Sequence, residues 1–248
     1  MSIRLSSYLA AFLFLLCADT CVAQLTLTVA AASDLSAIGP TLASYFEKEN
    51  QNVRVRFVNG ASAMLAQQIE NGAPFDVFLS ANAQFVDQLA AKGKLDPATV
   101  RSYATGRLAV LWRDKKSHPL SYLADDSIHF LALPNPKLAP YGVAAEQALQ
   151  HAGAWSAAKP KVVYGENVRQ TLQLFDSGNA DAVITADSLL QGRGAEPIPQ
   201  DWHAPIIQKG GTVAASKQQT AGKTFLDWLI GPSGQAIFAK YGFGRPTP

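Results

Sequence analysis

Cysteine is nearly missing from this chain. Only Cys17 and Cys21 occur among its 248 residues, and both fall within the first 23. Beyond that point no disulfide framework and no thiol-based metal or redox site can be built. The four histidines, His118, His129, His151 and His203, show neither HExxH nor any other paired spacing. His129 lies in an apolar run and reads as a structural residue. P-loop and GxGxxG motifs are also lacking. Neither sign of charge dominates, with 21 Lys and Arg against 19 Asp and Glu and a formal net charge of +2. No basic run is interleaved with aromatics, so nucleic acid is not an expected partner. After residue 23 no apolar run is long enough to cross a bilayer.

The first 23 residues do carry a pattern. Arg4 supplies a positive start, and Tyr8 to Cys17 form an apolar stretch too short to span a membrane. Cys21-Val22-Ala23 then ends in a small residue before Gln24, as signal-peptidase cleavage requires. Residues 1–23 are therefore expected to be a signal peptide, and the remainder a soluble periplasmic chain. Cys17 follows Leu16 and Cys21 follows Thr20, which argues against lipidation. Removing Arg4 and Asp19 with the signal leaves the net charge at +2.

Residues 24–248 alternate short β-rich runs with helical patterns, the mark of an α/β fold with mainly parallel strands. Strands are expected at 25–31, 53–58, 76–80, 107–112, 130–133, 161–164 and 182–185, and near 211–215. Helices are expected at 36–50, 63–70, 85–92, 142–151, 168–175, 221–229 and 233–241. The first of these helices would place Leu42, Tyr45 and Phe46 on its apolar side. Asn71-Gly72 and Gly93 read as helix stops. Glu70 and Asp76 read as a solvated helix end and a turn or packing carboxylate. Residues around 103–107 and 205–211 are candidate crossovers between two lobes. The chain then divides into lobe 1 at 24–105 and 208–248, with lobe 2 at 106–207. Gly106 and Gly210-Gly211 are candidate hinge residues at those crossovers.

Four strand–turn–helix junctions carry small or polar residues where a helix begins: Ala31-Ala32-Ser33-Asp34-Leu35, Asn59-Gly60-Ala61-Ser62-Ala63, Ala139-Pro140-Tyr141-Gly142 and Gly165-Glu166-Asn167-Val168. Ligands of open α/β sheets collect beyond the carboxyl ends of the strands. The first turn of a helix there exposes unpaired N–H groups and the positive end of a dipole. Each junction is thus a possible anion clamp, and several converging would bind an oxyanion without any lysine or arginine. Each also has a plainer reading. Ser33, Ser62 and Asn167 suit N-caps of their own helices, and Pro140 suits the first helical position. Gly60-Ala61-Ser62-Ala63-Met64 matches a nucleophile elbow except at its final position, where glycine is required, so a secreted serine hydrolase using Ser62 stands as an alternative of another class.

At these junctions the chain resembles the periplasmic molybdate-binding proteins of ABC uptake systems, which have the two-lobed type II periplasmic binding protein fold. The resemblance rests on VAAASDL (29–35), VNGASAMLAQQIENGAPFDVFLSA (58–81), TGRLAVLW (105–112), APYGVAAEQAL (139–149), GENVRQTLQLFDSGNADA (165–182) and FLDWLIGPSGQAIFAKYGF (225–243). It implies that Ser33 and Ser62 each give a hydroxyl and a backbone N–H to the ion. Tyr141 and Val168 would donate through backbone N–H groups, so that their side-chain identity matters little. Molybdenum would enter as the bound oxyanion held by Ser33, Ser62 and Val168, with no cofactor, and tungstate is a possible second ligand. The implied partners are an ABC permease and its ATPase, and the implied state is a monomer. Two positions depart from the family pattern. Some members place a tyrosine hydroxyl in the pocket where this chain has Val183-Ile184-Thr185-Ala186, and Thr185 substitutes only if it points inward. Others carry asparagine where this chain has Asp34. Its carboxylate would repel the ion unless turned away, although its N–H can still donate. Sulfate or phosphate is the alternative ligand on the same fold.

Overall fold

The computed structural model describes residues 24–246; the expected signal peptide, 1–23, lies outside the described residues. Its elements in order are β1 (Leu25–Ala32), α1 (Gly39–Glu49), β2 (Val53–Gly60), α2 (Ser62–Glu70), β3 (Val77–Ser80), α3 (Ala83–Ala91), β4 (Arg101–Gly106) and β5 (Leu108–Trp112). There follow β6 (Leu131–Pro134), α4 (Pro140–His151), α5 (Trp155–Ala158), β7 (Val162–Gly165), α6 (Val168–Asp176), β8 (Ala182–Ala186) and β9 (Glu196–Pro197). The chain closes with β10 (Ile206–Thr212), α7 (Gln219–Ile230) and α8 (Pro232–Lys240).

The strands form two five-stranded sheets, in the orders β2-β1-β3-β10-β4 and β7-β6-β8-β5-β9. Their plans match. In each, three parallel strands are followed by an antiparallel pair, one strand of which adjoins the crossing between sheets. Only Arg107 separates β4 from β5 on the outward crossing. The fold is the two-lobed α/β architecture that the sequence pattern implied.

Residue chemistry explains the layers. The central strands β1, β3, β6 and β8 are apolar and buried on both faces, as strands covered by helices must be. β2 alternates Val and Arg, and its burial alternates with it. Phe46 of α1 meets Phe225 of α7 edge-on, with centroids 5.0 Å apart, on one face of the first sheet. Leu65, Ile69, Val86 and Leu89 of α2 and α3 pack with Phe78 on the other. Burying each such side chain contributes about 1.5–3 kcal/mol.

Several local expectations need correction. The first helix starts at Gly39, not Ser36, after a separate single turn of 3-10 helix at Ser33–Leu35. Pro40 explains this: it lacks an N–H and is tolerated only in a helix's first turn. Tyr45 is half exposed rather than in the core, with the Lys48 ammonium over its ring. His129 is solvent-facing; its backbone N–H donates to the Asp181 carboxylate, and its ring Nδ1 lies 3.9 Å from the same group. The last strand of the first sheet runs over Ile206–Thr212 instead of 211–215, so Gly210 and Gly211 are ladder residues paired with Leu79 and Phe78. A Cβ at Gly210 would lie 2.7 Å from Leu79 Cδ2 and 2.8 Å from the Phe78 carbonyl oxygen, so glycine is there for close packing. Gly106 is likewise inside a strand, paired with Ile206. Asp76 is the packing carboxylate expected, accepting from the Thr28 N–H and the Ser216 hydroxyl.

Candidate functional site

The carboxyl ends of β1, β2, β6 and β7 face one another between the lobes. Ser33 follows β1, Ser62 follows β2, Tyr141 follows β6 and Val168 follows β7. These four residues line one small cleft with Asp34, Ala61, Ala81, Pro140 and Asn167. Its cavity volume is about 10 Å³, far below the roughly 300–1,000 Å³ of sites for drug-sized ligands. No lysine, arginine or histidine is among its lining residues.

The donors in this cleft are open. Among the described residues, the backbone N–H groups of Ser33, Ser62, Tyr141 and Val168 meet no protein acceptor. Helix geometry accounts for three of them, since Ser62 and Val168 begin α2 and α6 and Tyr141 is the second residue of α4. Pro140, with no N–H, takes the first position of α4 and leaves Tyr141 to present the donor.

The two serines do not cap their own helices, contrary to their plainer reading. The Ser62 hydroxyl accepts the Ala81 N–H at 3.1 Å, which fixes its rotamer and leaves its proton free to donate. Ser33 is 5% exposed, and its hydroxyl has no partner among the described residues. Asn167 is a cap: its carbonyl oxygen accepts from the Arg169 and Gln170 N–H groups at 3.0 Å. The Val168 N–H is thereby spared to face the cleft.

Thr185 does not point into the cleft. Its hydroxyl donates to the Val168 carbonyl oxygen at 3.0 Å, so it buttresses the start of α6 from behind. It therefore does not take the place of a pocket tyrosine.

Asp34 lines the cleft but engages a network that the sequence did not reveal. Its Oδ2 accepts the Tyr141 hydroxyl at 2.8 Å and Gln208 Nε2 at 2.7 Å, and Gln208 Oε1 accepts the Tyr103 hydroxyl at 2.9 Å. Its Oδ1 is buried without a partner. Burial pushes the Asp34 carboxyl up to about 6, against the lowering effect of the hydrogen bonds from Tyr141 and Gln208 and of the nearby Asp34 and Leu35 N–H dipoles. Burial also pushes the Tyr103 and Tyr141 hydroxyls up, and the Asp34 charge adds to this. The expectation that the Tyr141 side chain matters little is therefore wrong. It is 1% exposed and ties α4 of one lobe to the Asp34 turn of the other.

Other bonds join the lobes around the same turn. The Ser188 hydroxyl donates to the Asp34 carbonyl oxygen at 2.8 Å, and the Ala63 N–H donates to the Leu138 carbonyl oxygen at 3.4 Å. Gly106 makes the approach possible: a Cβ there would lie 2.3 Å from the Tyr141 hydroxyl oxygen and 2.9 Å from Gln208 Nε2. Gln208, Tyr103 and Ser188 went unnoticed in the sequence because nothing local links positions so far apart.

This arrangement can hold a small anion by neutral donors, and it lacks the parts of a serine nucleophile site. The Ser62 hydroxyl has a backbone amide as its neighbour instead of a base. Comparison with known proteins agrees with this geometry. Residues 27–244 match the family model of bacterial extracellular solute-binding proteins. The molybdate-binding protein ModA of Azotobacter vinelandii is 33% identical over 234 residues, covering 90% of this chain and 92% of that one. ModA of Rhodobacter capsulatus is 34% identical, with 81% of each chain covered. The solved Azotobacter vinelandii periplasmic molybdate-binding protein superposes with a TM-score of 0.80 at 28% identity, covering 89% of this chain and all of that one. The sulfate-binding protein SubI of Mycobacterium tuberculosis, at 18% identity and a TM-score of 0.73, shares the fold. With the cleft, the sheet plan and the sequence in agreement over nearly its whole length, the chain belongs to the bacterial extracellular solute-binding proteins and, among them, to the molybdate-binding ModA family.

Proposed function

We propose that the protein captures molybdate outside the cytoplasmic membrane and delivers it to an ABC permease coupled to an ATPase. Ser33 and Ser62 each donate a hydroxyl and an N–H to the ion, and Tyr141 and Val168 donate N–H groups. The observation that carries this reading is the convergence of four unpartnered N–H groups on one small cleft without a cation. Hydrogen bonds to a charged group contribute about 1.5–3 kcal/mol each, so several offset the desolvation of a dianion. Tungstate, equal in charge and shape, is the second ligand of the same site. Sulfate carries the same charge, so discrimination against it comes from cavity size and hydrogen-bond reach.

The lobes close over the ion by a hinge motion and expose it again at the permease, with the protein acting as a monomer. Export by the signal at residues 1–23 places it in the periplasm. Support for the location comes from the extracellular solute-binding family, and among the described residues no helix is long and apolar enough to cross a membrane.

Isothermal titration with molybdate, tungstate, sulfate and phosphate tests the assignment. Molybdate and tungstate are expected to bind far more tightly than the other two. Preference for sulfate or phosphate, or binding of none, would overturn it.

A further inference from the structure

Asp34 poses a problem that the proposed function leaves open. A dianion in this cleft sits beside Asp34, a residue of its lining whose carboxylate is buried against Tyr141 and Gln208. Like charges in a water-poor site repel strongly, and one of them must be neutralised or the ion is held weakly. The cleft contains no cation to do this, and no positively charged group contributes to the surroundings of Asp34.

The groups facing Asp34 can be named by element. Tyr141 comes from α4, Tyr103 from β4 and the uncharged Gln208 from β10. The turn at Asp187–Leu189 brings the Ser188 hydroxyl, with Asp187 beside it. Asp187 is itself pushed up by burial, and Arg107 opposes that shift. From β2 and α6 come the neutral Gly60, Asn167 and Val168 at the cleft; the Arg56 guanidinium of β2 is bonded to Thr28 instead. Both tyrosines stay protonated throughout the neutral range. Asp34 and Asp187 are thus the two carboxyls in this set that can take up a proton; of these Asp34 is the one that lines the cleft, and its Oδ1 is buried without a partner.

We infer that ion capture is coupled to protonation of Asp34: as the dianion enters, one proton passes from solvent to the Asp34 carboxylate, and it returns to solvent when the ion leaves. This rests on the reading of the cleft as a dianion site. The geometry favours it in two ways. Oδ2 keeps its hydrogens from Tyr141 and Gln208 whether or not Oδ1 is protonated, so the contact between the lobes survives the change. A neutral carboxylic acid also removes the repulsion at its source, and proteins do keep such acids neutral in apolar sites. Burial already raises Asp34 to about 6, and the charge of the bound ion raises it further, through the neutral range.

The sign follows from linkage. Below its titration in the ion-free protein, Asp34 is already protonated and affinity is independent of pH. Above it, each ion bound must draw in a proton, and affinity falls as pH rises, by up to roughly tenfold per pH unit.

The test is isothermal titration of the full chain with sodium molybdate across about pH 6 to about pH 8.5, repeated near the upper end in two buffers of different ionisation enthalpy. The wild-type protein is expected to lose affinity steadily with rising pH and to take up close to one proton per ion. Asp34→Asn is expected to take up none, to show a flat profile and to bind more tightly than wild type at the upper pH. A flat wild-type profile without proton uptake would overturn the coupling while leaving the molybdate reading intact. An Asp34→Asn protein that keeps the slope would overturn it by assigning the proton to another group. Absence of molybdate binding at every pH would overturn the functional reading and this inference with it. The two-buffer measurement needs only wild-type protein, so a variant that does not fold leaves the inference open to refutation.

Discussion

The two walls of the cleft occupy equivalent places in two sheets of one plan, yet they offer different chemistry. In the first sheet the turns after β1 and β2 present Ser33 and Ser62, each with a hydroxyl and an open N–H. In the second, the turns after β6 and β7 present Tyr141 and Val168 through the backbone, while the Tyr141 side chain reaches away to Asp34. The first wall is therefore sensitive to side-chain chemistry, and the second to whatever moves or deletes a main-chain donor. A search for polar side chains alone would find half the site.

The sharpest way to break this contrast is Val168→Pro. Proline suits the first helical position, and Asn167 before it is already extended at φ −150 and ψ 170, as a residue preceding proline must be. The change deletes one donor with little disturbance to α6. It is expected to weaken molybdate binding by about 2–3 kcal/mol, the upper range for a hydrogen bond to an ion, as read by calorimetry. Unchanged affinity would remove the second wall from the site.

Next in size are Ser33→Ala and Ser62→Ala. Each is expected to cost at least about 1 kcal/mol of binding in the same titration. Neither helix should melt earlier through loss of a cap, because neither serine caps its own helix. If both variants bind as wild type does, the hydroxyls of the first wall have no part in binding.

Asp34→Asn should alter stability as well as binding. The folded carboxyl sits near 6 against an ordinary 3.8. The protonated form is therefore favoured in the folded protein, and that stabilisation is lost as pH rises through about 6. The shift corresponds to at most roughly 3 kcal/mol. The amide recovers only part of it, since it accepts hydrogen bonds more weakly than a carboxylate, and a net gain of about 1 kcal/mol is expected. Thermal melts of the ion-free proteins should show the variant melting higher at about pH 8 and level with wild type at about pH 4. The smallest effect is expected from Val168→Ala, which keeps the N–H: affinity should stay within about twofold, since nothing in the donor set changes.

Much of the fold was written in short-range pattern. The Val-Arg alternation of β2, the apolar runs of β1, β3 and β8, and the helix stops at Asn71-Gly72 and Gly93 all lie where the periodicity placed them. At α1 the sequence itself argues against a start at Ser36, because Pro40 would then lie beyond the first turn of the helix. At β10 it carries no such sign. Two glycines interrupt the strand's pattern, and the neighbour that excludes a side chain at Gly210, Leu79, is distant in sequence. At the site, the helix starts were legible and the bonds behind them were not. The partnership of Asp34 with Tyr141 and Gln208 spans both lobes, and the turn of Thr185 toward the Val168 carbonyl depends on how β8 meets α6. Such contacts follow from tertiary packing, which no spacing rule encodes.

The glycine at 106 has a consequence for evolution and design alike. The space its side chain would fill is taken by the phenol oxygen of Tyr141. Even an alanine methyl group there would act as a doorstop, keeping the Tyr141 phenol from its place against β4. How near the two walls come is thus set partly by a carbon that the chain does not have.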